Sequence, residues 1–226
     1  MTTALRSILF FCLLFIKLLI GSVAFAQPSG AALDSASGLA NLDVLLSDIN
    51  TLSANVLQLI VESNGGVLEE SEIQMFLKKP DGFYWETLFP FPELVVTNGI
   101  KLWNYQPDLE QVVIENWDSS RSELAAQLLS GEIKNLSKEY TIRRITLPES
   151  EYQEFELIPI APDSLYQQIS INFMNSELES IYLDSRNGQQ TVWRFENLVR
   201  NQAIADAQFE FLPPENIEII ENSYSQ

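Results

Sequence analysis

The sequence predicts a mostly β (α+β) fold in which about ten to eleven antiparallel strands follow one another and curl into a barrel or half-barrel. Residues 83–86 alternate between two faces, with Phe83 and Trp85 on the same face, as in a strand with one apolar side. Asn98-Gly99 and Arg186-Asn187-Gly188 each separate two β-branched or aromatic runs, which is the pattern of a hairpin turn. Similar runs recur at hairpin spacing along most of the chain, so we expect a meander of strands.

Residues 1–26 have the pattern of a cleavable secretory signal. Arg6 precedes the apolar runs 8–16 and 18–20, which Lys17 separates, and Ala24-Phe25-Ala26 supplies small residues after them. A charged start, an apolar middle and an Ala-x-Ala end describe a signal peptide, so we expect cleavage after this motif. The only cysteine leaves with the signal, and none stands at the new terminus to carry a lipid. The expected mature chain is a single unanchored domain, residues 27–226, that is exported.

The charge and composition exclude several function classes. The net charge is −18, and loss of Arg6 and Lys17 with the signal takes it to −20. Such a chain is repelled by nucleic acid and by anionic lipid headgroups. The charge fits either simple solubility or a protein that visits membranes without adhering to them, and charge alone does not choose. With no histidine and no mature cysteine, imidazole catalysis, thiolate chemistry and the common zinc sites are excluded.

Two segments have helical rather than strand periodicity. Leucines and an isoleucine at helical spacing predict an amphipathic helix over 39–49, after an unstructured terminus at 27–39. Glu123, Leu124, Leu128 and Leu129 predict a second helix, which Ser130-Gly131 would end. Such a helix either packs permanently on the core or serves as a movable cover over a cavity.

The end of the chain is expected to close the sheet. Residues 209–212 alternate as a last strand before Pro213-Pro214, and residues 215–226 read as an acidic tail.

Motifs along almost the whole mature chain resemble those of LolA, the family of periplasmic outer-membrane lipoprotein carrier proteins. The motifs that carry the resemblance are Lys78-Lys79-Pro80 with Phe83-x-Trp85, Thr97-Asn98-Gly99 with Leu102-Trp103-x-Tyr105, Pro107-x-Leu109-Glu110-Gln111-Val112, Leu128-Leu129-Ser130-Gly131, and Phe209-x-Phe211-x-Pro213-Pro214. The resemblance implies an incomplete, strongly curved antiparallel barrel closed by a helical lid. It also implies a cavity for lipoprotein acyl chains, cargo accepted from an inner-membrane ABC-type release complex, and delivery to an outer-membrane receptor.

The resemblance and the apolar pattern together nominate site residues. The predicted wall of the lipid cavity is Phe83, Trp85, Leu94, Val96, Trp103 and Tyr105, and the predicted lid contacts are Leu124, Leu128 and Leu129. Lys79 stands where the family typically has an arginine thought to hold the lid closed, so it is the candidate lid lock. Lysine keeps the charge but lacks the planar fork that can grip two carbonyls at once. Each of these residues could instead be ordinary packed core or, for Lys79, a solvated lysine.

The function expected from the resemblance is a monomeric carrier without cofactor, metal or catalysis, whose membrane contact is transient. Paired carboxylates could still support an enzyme of the glycosidase kind. The acidic residues Glu69-Glu70, Glu149, Glu151, Glu154 and Glu156 fall on predicted turns and solvent faces, which disfavours that reading. A lipid-sensing or lipoprotein-sensing interaction module on the same scaffold is the second alternative.

Overall fold

The computed structural model describes residues 32–117, 124–129, 133–146 and 150–222, and the predicted signal peptide lies outside them. The described chain contains one thirteen-stranded sheet, three α-helices and two short 3₁₀ helices. The strands are β1 (Ala32–Asp34), β2 (Thr51–Val61), β3 (Val67–Lys78), β4 (Gly82–Phe89), β5 (Glu93–Asn98), β6 (Lys101–Gln106), β7 (Gln111–Asn116), β8 (Tyr140–Thr146), β9 (Tyr152–Pro159), β10 (Tyr166–Met174), β11 (Glu177–Ser185), β12 (Gln190–Arg200) and β13 (Glu218–Asn222). The helices are α1 (Ser35–Ser47), α2 (Leu124–Leu129) and α3 (Ile133–Glu139).

The sheet consists of two meanders joined in its middle. Its strand order is β1-β8-β9-β10-β11-β12-β2-β3-β4-β5-β6-β7-β13, and every neighbouring pair is antiparallel except β7 with β13. Within the part of the chain that the structure describes, β1 and β13 are the two edges and do not pair with each other, so the barrel is incomplete. The predicted mostly β fold is therefore confirmed, with thirteen strands in place of ten to eleven.

Hairpin turns and prolines place the strand ends as the sequence predicts. Gly99 has φ +84° between β5 and β6, and Gly188 has φ +89° between β11 and β12. An added Cβ at Gly99 would also lie 2.8 Å from the side chain of Asp81, so this turn requires glycine. β4 ends at Phe89, directly before Pro90, since proline cannot donate to the ladder.

The sheet carries an apolar layer on each face. We call the face that packs against the helices the inner face, and the one covered by residues 204–217 the outer face. Met75, Leu77 and Phe83 belong to the inner cluster, whereas Val96 and Trp103 belong to the outer cluster. Successive side chains of a strand point to opposite faces, so one sheet supplies both layers.

Three predictions about the chain ends were wrong. The first helix begins at Ser35, four residues earlier than expected, and the preceding residues 32–34 form β1 against β8 rather than an unstructured terminus. Residues 209–212 are not a strand, because Phe209 ends a 3₁₀ helix that begins at Asp206. The last strand is β13, in the segment predicted as an acidic tail, where Ile219 pairs in register with Val112 of β7.

Among the described residues, no helix is both long enough and apolar enough to cross a membrane.

Candidate functional site

The inner face is the candidate site, and its aromatic centre lies on β4 and β12. Phe83 is 3% exposed, and its ring stacks on that of Trp85 with centroids 6.1 Å apart. Trp85 in turn meets Trp193 edge-on at 5.3 Å, and the Trp193 indole N–H donates to Oε1 of Gln58 at 2.8 Å. Trp85 is half-buried, so the pair forms an apolar surface with one accessible flank.

The helices pack on this surface through leucine side chains. Leu128 and Leu129 of α2 and Leu42 and Leu46 of α1 are all completely buried in the same cluster as Phe83. The two α2 leucines are therefore buried in the inner cluster, and their role as lid contacts stays a prediction. Leu124 is the first residue of α2, and its side chain lies outside what the structure describes.

The six predicted wall residues do not form one wall. Trp85 pairs with Val95 across β4 and β5, whereas Tyr84 pairs with Val96, and Val96 pairs with Trp103. Directly opposed residues lie on the same face of the sheet, and successive residues lie on opposite faces. Trp85 and Trp103 therefore lie on opposite faces. The prediction of a common wall was wrong for four residues, which lie in the outer cluster: Leu94, Val96, Trp103 and Tyr105.

The outer cluster is covered by the chain that follows β12. The ring of Phe211 lies 5.1 Å from that of Tyr105, and Phe209 is buried in the same cluster. Lys78 Nζ donates to the carbonyl of Ile204 at 3.0 Å and forms an ion pair with Asp206. The outer layer is thus packed core beneath a covering segment of the same chain.

Lys79 contacts a helix, although a different helix from the predicted lid. Its Nζ donates to the carbonyl oxygen of Leu46 at 2.8 Å and lies 3.5 Å from that of Ser47, at the C-terminus of α1. Burial lowers the pKa of Lys79, against the opposing effect of Asp43 and Asp48.

Two further side chains, at the last residue of β12 and the residue after it, bind the same end of α1. Arg200 donates to the carbonyl of Leu45 at 3.3 Å, and Asn201 Nδ2 donates to that of Asp48 at 2.8 Å. Together with Lys79 they satisfy the carbonyls that a helix C-terminus leaves free. Three polar side chains therefore hold α1 on the sheet.

Several residues of the inner face were missed from the sequence. Leu42 and Leu46 were assigned to an amphipathic helix but not to the site, and Trp193 and Phe155 were not nominated. The apolar spacing of α1 carried that signal for the leucines, because a helix with one apolar stripe must bury it on something.

The described residues hold no group of three or more His, Cys, Asp or Glu side chains that could bind a metal ion.

The fold is an open, curved and mostly antiparallel sheet whose apolar inner face is covered by helices. This architecture places the chain in the class of half-barrel domains. A solved structure of an uncharacterised conserved protein from Thermus thermophilus shares this fold, with a TM-score of 0.52, 14% identity, and coverage of 84% of this chain and 100% of that one.

The family model described as outer membrane lipoprotein carrier protein LolA matches residues 47–212, and the chain belongs to that family. Proteins called outer-membrane lipoprotein carrier protein are among its relatives. The one from Hahella chejuensis is 34% identical over 198 residues, which cover 85% of this chain and 95% of the relative. That from Azotobacter vinelandii is 34% identical over 209 residues, or 92% of this chain and 99% of the relative.

Proposed function

We propose that the chain is a periplasmic carrier that binds the acyl chains of lipoproteins on its inner face and shuttles them from the inner membrane to the outer membrane. The observation that carries the proposal is the burial of Leu128 and Leu129 of α2 against the cluster that contains Phe83. This contact is wholly apolar, so acyl chains can replace it without leaving a polar group unpaired. Family membership and the names of the relatives support the same cargo.

In this proposal α2 moves and α1 stays in place. Helix α2 has only six residues, and a helix that short gains its stability from packing rather than from its own hydrogen bonds. Helix α1 is held by Lys79, Arg200 and Asn201, whose hydrogen bonds would all have to break if it left the sheet. Acyl chains would therefore enter between α2 and the sheet, beside Trp85.

The energetics require such a cover. The three acyl chains of a lipoprotein carry on the order of 45 methylenes, so full exposure to water would cost roughly 35 kcal/mol. A carrier must replace most of this burial and still release its cargo. Cargo entry would expose Leu128 and Leu129, whose burial is worth about 2 kcal/mol each, so closure of the empty protein offsets part of the binding energy. The offset is regained on delivery, when α2 returns to the sheet.

The proposed partners follow from this route. Cargo would come from an ABC-type release complex of the inner membrane and pass to a receptor at the outer membrane. Carriage itself needs no catalytic group, cofactor or metal, and a monomer suffices. Residues 1–26 would direct export and be removed.

The direct test measures release of lipoprotein from spheroplasts. Purified residues 27–226 are mixed with spheroplasts that contain a labelled lipoprotein, and the label in the soluble fraction is measured. We expect release by the natural chain and by Ile100→Glu, an exposed control, and none by Phe83→Glu, which puts a charge on the inner face.

If the natural chain releases no lipoprotein under conditions in which the Azotobacter vinelandii relative does, the proposal is wrong. If the chain binds a fluorescent acyl probe and releases nothing, a lipid-sensing module on the same scaffold is the better interpretation. Mass spectrometry of apolar material that co-purifies with the chain gives an independent readout of the cargo.

A further inference from the structure

One polar atom on the apolar inner face is left without a partner. Asn104 lies within β6, and its side-chain Oδ1 is sealed from solvent. This oxygen accepts no hydrogen bond from the part of the chain that the structure describes. A buried acceptor without a donor costs free energy, so its presence on this face calls for an explanation.

Strand pairing places Asn104 on the same face as Trp85. Trp85 is opposite Val95, and Val95 is opposite Asn104, so the three side chains form one row across β4, β5 and β6. Val113 of β7 continues the row beyond Asn104. Two strand spacings, or about 10 Å, separate Asn104 from Trp85. Asn104 is therefore a polar group between two valines, close to the aromatic surface at which acyl chains are proposed to enter.

The other polar side chains of this part of the inner face already have partners. Gln106 donates to Oε1 of Glu93 at 3.1 Å and accepts from Nε2 of Gln111 at 2.9 Å. The hydroxyl oxygen of Thr97 accepts from the backbone N–H of Gly99 at 3.1 Å. These groups satisfy one another and leave Oδ1 of Asn104 unpaired.

The carboxamide of Asn104 can reach a ligand on the inner face. The residue is only half-buried although its Oδ1 is sealed, so part of it remains in contact with solvent. The terminal torsion of an asparagine is soft, and rotation about it redirects Oδ1 without any change in the backbone. A ligand that extends along the row from Trp85 can therefore meet this oxygen.

The missing partner has to be a hydrogen-bond donor, and this requirement restricts the ligand. An ester-linked acyl chain offers only oxygen acceptors, which cannot pair with Oδ1. An amide-linked acyl chain carries an N–H directly beside its carbonyl, and this group can donate to Oδ1. A charged donor such as an ammonium group would have to leave water for an apolar face, which costs far more than the transfer of an amide.

We propose that Asn104 accepts a hydrogen bond from the N–H of an amide-linked acyl chain. The inner face would then prefer lipoproteins that carry such a chain to lipids whose chains are all ester-linked. The inference rests on the proposed carrier function and adds a basis for cargo selection to it. The apolar wall cannot supply this selection, because the methylenes of the two kinds of chain are alike, whereas a site built for a hydrogen bond rejects a ligand that lacks the donor.

Competition binding tests this inference on the purified mature chain, residues 27–226. A fluorescent acyl probe is displaced by N-methyldodecanamide or by methyl dodecanoate, which differ only in the N–H or oxygen beside the carbonyl. The measured quantity is the ratio of the amide affinity to the ester affinity. We expect this ratio to be about tenfold higher for the natural chain than for Asn104→Leu, which cannot accept the hydrogen bond. Comparing ratios between proteins cancels the different solubilities of the two competitors.

Two replacements and one control separate recognition from folding. Asn104→Leu matches the shape of asparagine, and Asn104→Val is a smaller side chain that suits a strand. Neither removes a hydrogen bond to Oδ1, so thermal unfolding should show that both variants fold. The matched control is Asn55→Leu, because Asn55 of β2 is exposed and its neighbour Val56 belongs to the inner cluster, which places Asn55 on the outer face. The control should keep the ratio of the natural chain.

Each other outcome overturns the inference. If the ratio is the same in the natural chain and in both Asn104 variants, Asn104 does not recognise the amide, and the carrier proposal still stands. A loss of stability in these variants with no change in the ratio would assign Asn104 to folding alone. An equal fall of the ratio in Asn55→Leu would place the effect elsewhere. If the natural chain binds no acyl probe at all, the carrier proposal fails and this inference fails with it.

Discussion

Shortening Leu128 to alanine should open α2 and tighten the binding of acyl chains. Leu128 is completely buried against the inner face, and a leucine-to-alanine change at such a site costs about 3 kcal/mol. If opening removes this contact, the change favours the open state by the same amount. Since about 1.4 kcal/mol is a factor of ten, the open population should rise about a hundredfold.

As long as the closed state still dominates, the apparent affinity for a fluorescent acyl probe should rise in proportion to the open population, by up to about a hundredfold. Fluorescence titration measures the affinity, and thermal unfolding measures the accompanying loss of stability. Val96→Ala is the control, because Val96 is also completely buried but lies on the outer face. It should lower stability and leave probe affinity within about twofold. Unchanged or weaker binding by Leu128→Ala would refute the idea that α2 competes with cargo.

Three further predictions concern single side chains. Lys79→Met should lower the free energy of unfolding by about 1–2 kcal/mol, because the charged hydrogen bond to the Leu46 carbonyl is lost. Lys79→Arg should retain this hydrogen bond. Denaturant titrations that give both variants the same stability would contradict the prediction. Phe83→Glu should cost several kcal/mol by the same measurement, because its side chain is buried on the inner face; a near-neutral result would mean that solvent reaches the site. Burial and Glu154 raise the pKa of Tyr152 to about 12, so folding favours its protonated form. That contribution is complete below pH about 10 and is lost as the pH rises through about 12. The free energy of unfolding of Tyr152→Phe, measured by urea titration at several pH values, should therefore fall less steeply with alkaline pH than that of the natural chain. An equal fall in both proteins would argue against the assignment.

The strands and turns could be predicted from the sequence because their signals are local. Alternation within 83–86 and the Asn98-Gly99 turn each need only a few neighbouring residues, and both are confirmed. The short turn between β5 and β6 also fixes the pairing of Val96 with Trp103. The sequence therefore allows Leu94, Val96, Trp103 and Tyr105 to be placed together on one face.

The face that those four residues occupy could not be predicted, because it depends on the β4–β5 connection. Phe83 pairs with Thr97 across this connection, and a shift of one residue in that register would bring Trp85 and Trp103 to the same face. The sequence does not predict how many residues form the turn that contains Pro90 and Pro92. The register of β5 on β4, and with it the face that the four residues occupy, was therefore undetermined. The partner of Lys79 was missed for a similar reason, since Leu46 is 33 residues away and only tertiary structure brings them together.

The pairing of β2 with β12 in the middle of the sheet has a consequence for the order in which the protein folds. Val61 lies beside Gln190 although 129 positions separate them in the chain, so this seam closes only after nearly everything between has emerged. Pairings of such high contact order form slowly, because a long loop must be closed before any contact repays it. Trp85 and Trp193 meet across this seam, so the surface proposed to bind acyl chains is not assembled until both halves of the sheet have paired. If the carrier proposal holds, the folding chain therefore gains its binding surface only at this late step.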